Sequence, residues 1–206
     1  LRTFAEALAE MILPGVVNSL SQTLLKLTVP GVPDIYQGSE LWDFSLVDPD
    51  NRRPVDFDSR RRILEQIDSG EADHRLLLSD WQSGRIKEYV IATALGYRAA
   101  QPDIFASGEY EPVEVVGGEA DRIVAFRRAG KAVVIVPRLT APLLKGAELP
   151  LPRNWGDTRL LLGQHGSYRD LFTSRSVSTD AGELSIAALL EEFPVALLTD
   201  DGAAGI

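Results

Sequence analysis

The chain has 206 residues, with thirty acids against twenty-one bases and a net charge of −9. A hydrophobic share of 45% and a charged share of 25% are ordinary for a globular chain and exclude collagen, coiled coil and wholesale disorder. The lack of cysteine excludes a disulfide scaffold, a thiolate zinc site and a cysteine nucleophile, and the acidic balance argues against nucleic acid as a partner.

The first hundred residues read as helical. Thr3 is placed to cap a helix carrying Phe4, Ala5, Leu8, Met11 and Ile12, and Pro14-Gly15 is expected to break it. A second helix follows, with Val16, Val17, Leu20, Leu24 and Leu27 on one apolar face, and stops at Pro30-Gly31. Val32 to Gly38 is short, β-branched and aromatic, and reads as a buried strand. Residues 38–58 lack periodicity and are rich in Asp and Pro; long loops of this kind in compact domains are usually functional. Asp58 or Ser59 then caps a helix through Ile63, Leu64 and Ile67 that ends at Ser69-Gly70. A longer helix is expected from about Asp80 to Gln101, with Ile86, Val90, Thr93, Ala94 and Tyr97 inward.

The period changes near residues 102–109, the candidate domain boundary. Glu111 to Val116, Arg122 to Arg127 and Lys131 to Arg138 are β-rich runs, with Ala129-Gly130 tight enough for a hairpin. Further short runs cover Thr158 to Leu162, Tyr168 to Phe172, Arg175 to Ser178, Glu183 to Ile186 and Val195 to Thr199. Many short strands with regular turns suggest an antiparallel sandwich or barrel. The expected fold class is therefore α/β plus all-β: the last strand and helices of a (β/α)8 barrel, followed by an antiparallel β-sandwich. The expected domains are residues 1–104 and 105–206. One strand cannot close a barrel. Residue 1 is Leu, and the only Met, Met11, lies inside a helical pattern. The chain is therefore expected to be processed or a piece of something longer.

The candidate chemistry concentrates on the loop. At the carboxyl end of a barrel strand, Tyr36, Gln37 and Glu40 would face a site; the plain reading of the same residues is a buried strand with its punctuation. Asp48, Asp50, Asn51, Arg52 and Arg53 supply the carboxylates and guanidinium forks that bind sugar hydroxyls, although a charge-balanced surface loop has the same composition. Asp48, Asp50 and Asn51 also carry hard oxygens, but EF-hand spacing fails at Arg53 and Ser59, and no metal is expected. Trp42 is placed to stack on a pyranose, or simply to pack the loop. Arg60-Arg61-Arg62 reads as a solvated helix face with local ion pairs, and His74 and His165 as structural or surface residues. There is no nucleophile elbow, phosphate loop or zincin motif. No apolar run nears the roughly 20 residues of a membrane helix, and no signal peptide is visible. No membrane partner is expected, and the cytoplasm is the expected compartment.

Gly31 to Glu40 carries the pattern G-x-P-x-x-x-x-G-x-E, which resembles the last barrel strand of the α-amylase superfamily. The longer string from Pro30 to Trp42, followed by Asp48-Pro49-Asp50-Asn51-Arg52-Arg53-Pro54-Val55, resembles the malto-oligosyltrehalose synthases of that superfamily. The likeness continues through Ala92 to Arg98, Val134 to Leu139, Arg169 to Thr173 and Phe193 to Leu198. The resemblance implies an intramolecular transglycosylase that turns the reducing-end α-1,4 link of a malto-oligosaccharide into an α,α-1,1 link, without a cofactor. It implies a carboxylate nucleophile and a carboxylic acid/base about 5 Å apart, both on earlier strands of the barrel. No motif for either occurs between Leu1 and Val29, so the resemblance is to the carboxyl-terminal portion only and no catalytic residue is assigned here. It places Asp48, Asp50, Asn51, Arg52 and Arg53 at the mouth of the sugar site, with Tyr36, Gln37, Glu40 and Trp42 nearby. The implied partners are the malto-oligosaccharide and the remainder of the barrel, with self-association to cover the open strand edge if the chain stands alone. Two other readings stay open. One is a stand-alone carbohydrate-binding or interaction module, which would need exposed aromatics among Phe105, Tyr110, Phe126, Trp155, Tyr168, Phe172 and Phe193; the other is a different superfamily member.

Overall fold

The computed structural model describes residues 2–163 and 166–200, in which helices come first and strands second. Helix α1 (Arg2–Thr28) runs through Pro14 without the expected break. A proline costs the helix one amide bond. Downstream, the burial of Val16, Val17, Leu20, Leu24 and Leu27 holds the helix in place, as their spacing required. Its front half carries Phe4, Leu8, Met11 and Ile12 on one stripe, all exposed, Phe4 at 67%.

The strand expected at Val32 to Gly38 is not formed. Residues 32–36 are irregular, residues 37–40 turn, and Val32 is 95% exposed. A strand is fixed by its ladder partners, and no described strand pairs with this segment. The long loop is as expected, relieved only by a single 3-10 turn at Asp50–Arg52. Helix α2 (Phe57–Asp68) is capped by Asp56 rather than Asp58 or Ser59, its side chain accepting from the Ser59 amide. The helix expected from Asp80 begins only at Arg85. Short α3 (His74–Ser79) and a 3-10 turn at Trp81–Ser83 come first. Gly84 then takes φ +80°, and α4 (Arg85–Ala100) starts after it. A Cβ on Gly84 would lie 2.8 Å from the Trp42 amide nitrogen, so this glycine also admits the loop backbone. Helix α5 (Pro102–Ala106) completes the helical part.

The expected β-runs all form strands. These are β1 (Tyr110–Pro112), β2 (Glu114–Val116), β3 (Ile123–Arg128), β4 (Ala132–Pro137), β5 (Arg159–Leu161), β6 (Ser167–Asp170), β7 (Ser176–Ser178), β8 (Glu183–Ser185) and β9 (Ala196–Asp200). A short helix α6 (Ile186–Leu189) lies between β8 and β9. One sheet has the order β1-β3-β4-β9-β6-β7 and the other β2-β5-β8, with every pair antiparallel. The run from Glu111 to Val116 is thus split between two sheets. The hairpin at Ala129-Gly130 pairs Arg128 with Ala132, and both turn residues have positive φ.

The central strand β4 is apolar throughout because it is covered on both faces. Ala132, Val134 and Val136 join Leu20, Leu24, Leu27, Ile86, Val90 and Ala94 in a core between sheet and helices. Val133 and Ile135 join Leu160, Leu184 and Ile186 in a second core toward the small sheet. The first core therefore crosses the composition change near residues 102–109. No described helix is long and apolar enough to cross a membrane.

Candidate functional site

The loop after Gly38 folds over the start of α2 and encloses an open cleft of about 270 Å³. Of the residues singled out from sequence, Gln37, Trp42, Asp50, Asn51 and Arg53 line it. Asp50 pairs with Arg53 and accepts from the Leu46 amide at 2.8 Å. That amide bond, reinforced by Arg53, holds the Asp50 carboxyl below its ordinary range. Asp43 is likewise lowered by its bonds from Ser45. Asn51 Oδ1 is covered and without a hydrogen-bond partner, an acceptor left unsatisfied by the loop.

Four expected residues lie off the cleft wall. Asp48 and Arg52 pair with each other in solvent. Tyr36 is half exposed, and its carbonyl accepts from the Ser39 amide at 3.1 Å and the Ser39 hydroxyl at 2.6 Å. Glu40 turns behind the wall to accept from Arg60 Nε at 2.8 Å. Trp42 serves the cleft and the packing together. Its indole donates to the Trp81 carbonyl at 2.7 Å, and Lys87 Nζ lies 6.0 Å from the ring centroid.

Sequence reasoning missed Arg60. Arg61 does behave as a solvated residue, reaching Asp58 at 3.2 Å, and Arg62 bonds the Asp58 carbonyl at 3.2 Å. Arg60 instead points inward and lines the cleft. The available signal was its place one helical turn after Asp56. His74 sits half-buried, 3.0 Å from Glu192 and edge-on to Phe193. His165 lies outside the described residues. Among the described residues no group of three or more His, Cys, Asp or Glu could hold a metal.

Behind the Arg60–Glu40 pair, Glu88 on α4 is 5% exposed, and its Oε2 has no hydrogen-bond partner. Burial pushes its carboxyl from 4.5 up to about 7, against the pull of Arg60 and with a further push from Glu40. Between those two values the folded chain holds a proton that the unfolded chain has released. Stability therefore falls as pH rises through that window. Glu88→Gln removes the titration, and its advantage over wild type should grow by roughly 2–3 kcal/mol between pH 5 and pH 8. Urea midpoints at both pH values test this; parallel pH curves for the two proteins would refute it.

Of the seven aromatics that a module built on the sandwich would need exposed, six are enclosed. Phe105, Phe126, Trp155, Tyr168, Phe172 and Phe193 are all buried, and only Tyr110 reaches solvent, at 41%.

No family model matches the chain. A Mycobacterium tuberculosis protein that carries the name maltooligosyl trehalose synthase is 41% identical over 186 residues, 90% of this chain and 21% of that protein. The solved maltooligosyltrehalose synthase from Arthrobacter ramosus is 38% identical with a TM-score of 0.71, over 90% of this chain and 22% of that one. A further solved maltooligosyl trehalose synthase is 29% identical with a TM-score of 0.71, over 97% of this chain and 24% of the other. The chain thus spans about a fifth of the length of the curated relatives it matches. By sequence and by fold, the chain is similar to one portion of the maltooligosyl trehalose synthases, the family that its loop residues already resembled.

Proposed function

We propose that this chain forms part of an intramolecular transglycosylase that converts the reducing-end α-1,4 link of malto-oligosaccharides into an α,α-1,1 link. The observation that carries this reading is the match of nine-tenths of the chain to maltooligosyl trehalose synthases. Residues 1–104 would form the end of a (β/α)8 barrel and residues 105–206 a β-sandwich. The irregular segment at Val32 to Gly38 becomes the last barrel strand once neighbouring strands offer it a ladder. The remainder of the barrel would also cover the exposed stripe of Phe4, Leu8, Met11 and Ile12. The catalytic carboxylates belong to that remainder; this chain supplies the loop Gly38 to Asp58 at the mouth of the sugar site. Asp50, Asn51 and Arg53 hold hydroxyls there, Trp42 offers an aromatic edge, and the solvent-facing Asp48–Arg52 pair meets the glucan as it enters. No cofactor is invoked, and the cytoplasm is the compartment assigned.

Arg52 provides the test because its side chain is 68% exposed and bonds nothing in the core. In the full-length enzyme, Arg52→Ala should lower the transglycosylation rate by about tenfold, with the melting temperature changed by no more than about 1 °C. Unchanged kinetics together with a lowered melting temperature would overturn the role of this loop.

A further inference from the structure

We propose that Arg60 fastens both ends of the loop over the cleft and thereby sets how tightly the cleft holds a malto-oligosaccharide. The inference rests on the reading of Gly38 to Asp58 as a glucan loop and adds a positioning residue that the motif does not contain. One guanidinium makes three bonds in different directions. Nη2 donates to the Gly38 carbonyl at 2.6 Å, where the loop begins, and Nη1 to the Asp56 carbonyl at 3.0 Å, where it ends. Nε donates to Glu40 Oε2 at 2.8 Å. The pair is partly buried, at 17% and 26% side-chain exposure, so water competes poorly for these bonds.

The two loop ends meet at this point. A Cβ on Gly38 would lie 2.9 Å from a Val55 methyl, and Gly38 holds φ +90°. Asp56 is fixed in turn as the cap of α2, through its bond from Ser59 at 2.9 Å. The guanidinium therefore joins a rigid helix start to the first residue of the loop. A lysine has the charge but not the planar fork, and it cannot reach three acceptors at once. Loop closure by this contact limits the conformations of residues 39–55 before any sugar arrives, and preorganisation of that kind appears as affinity.

The experiment compares Arg60→Ala, Arg60→Lys, Arg61→Ala and Arg52→Ala in the full-length enzyme, with maltohexaose as substrate. Amide hydrogen exchange across residues 39–55 is followed alongside. Arg60→Ala should raise KM by about tenfold with kcat within about threefold, and should speed exchange in the loop. Arg60→Lys should not restore either quantity, and Arg61→Ala should leave both at the wild-type level. If Arg52→Ala impairs catalysis while Arg60→Ala leaves KM unchanged, the fastening role fails and the glucan loop stands. If neither variant alters the kinetics, the loop reading fails and takes this inference with it. An equal rise in KM for Arg61→Ala would mean that any lost charge suffices, and would overturn the inference.

Discussion

Arg128→Ala is expected to destabilise the chain by about 3–5 kcal/mol, the largest effect of any single truncation considered. Arg128 is 1% exposed and has no carboxylate partner among the described residues. Its guanidinium donates instead to three backbone carbonyls: Thr28 at 2.6 Å, and Phe105 and Gly108 at 3.1 Å each. Thr28 closes α1, and Phe105 and Gly108 lie at and beyond the end of α5. The charge is therefore held by the negative ends of helices rather than by an acid. Arg98 works beside it, donating to the Leu27 carbonyl at 3.0 Å and the Gly31 carbonyl at 2.8 Å. Both guanidinium carbons approach the Phe105 ring, at 5.1 Å for Arg98 and 5.8 Å for Arg128. Removing Arg128 orphans buried carbonyls and opens a void at the junction of sheet and helices. Arg128→Lys should recover less than half of the loss, since one ammonium cannot span the three acceptors. Urea unfolding of the three proteins measures this. A loss under about 1 kcal/mol for the alanine variant would show that the carbonyls find other donors.

The second large effect is expected at Asp170, also 1% exposed. Its carboxylate accepts from the Thr173 hydroxyl at 2.6 Å, the Phe172 amide at 3.3 Å and the Leu197 amide at 3.4 Å. One side chain thus shapes the turn after β6 and ties it to β9. Burial raises the carboxyl above its ordinary range while these donors pull it down, and burial prevails. Asp170→Ala leaves two buried amides without acceptors and should cost about 2–4 kcal/mol. Asp170→Asn keeps an oxygen for both amides and turns its NH2 toward a hydroxyl that can accept, so it should cost less than about 1 kcal/mol. Thermal unfolding of the two variants decides between this account and one in which the buried charge itself stabilises the turn. Equal losses for Ala and Asn would show that the charge, rather than the acceptor geometry, is what matters.

Much of this was legible in the residues themselves. The spacing Val16, Val17, Leu20, Leu24, Leu27 marked the buried face of α1, and alternation with glycine turns located the strands. Apolar periodicity reports burial directly, so it survives translation from sequence to fold. The string from Asp48 to Val55 also pointed to the loop that forms the cleft. Several features had no such local code. Pro14 passed inside a helix because packing downstream outweighed one lost amide bond. Val32 to Gly38 stayed irregular because a strand depends on its neighbours and not on its own propensity. Arg60 looked like Arg61 and Arg62, yet it alone faces the acceptors that the returning loop brings to it. Nothing local marks Arg128 or Asp170 for burial; distant helix ends and turns supply their partners. The sequence by itself determined which segments bury apolar faces and which loop concentrates the carboxylates and guanidinium groups of the cleft, because apolar spacing and residue type are local properties. Only the tertiary structure decided which charged side chains are enclosed and what they hold, because hydrogen bonds across 20 to 100 residues depend on where the chain returns.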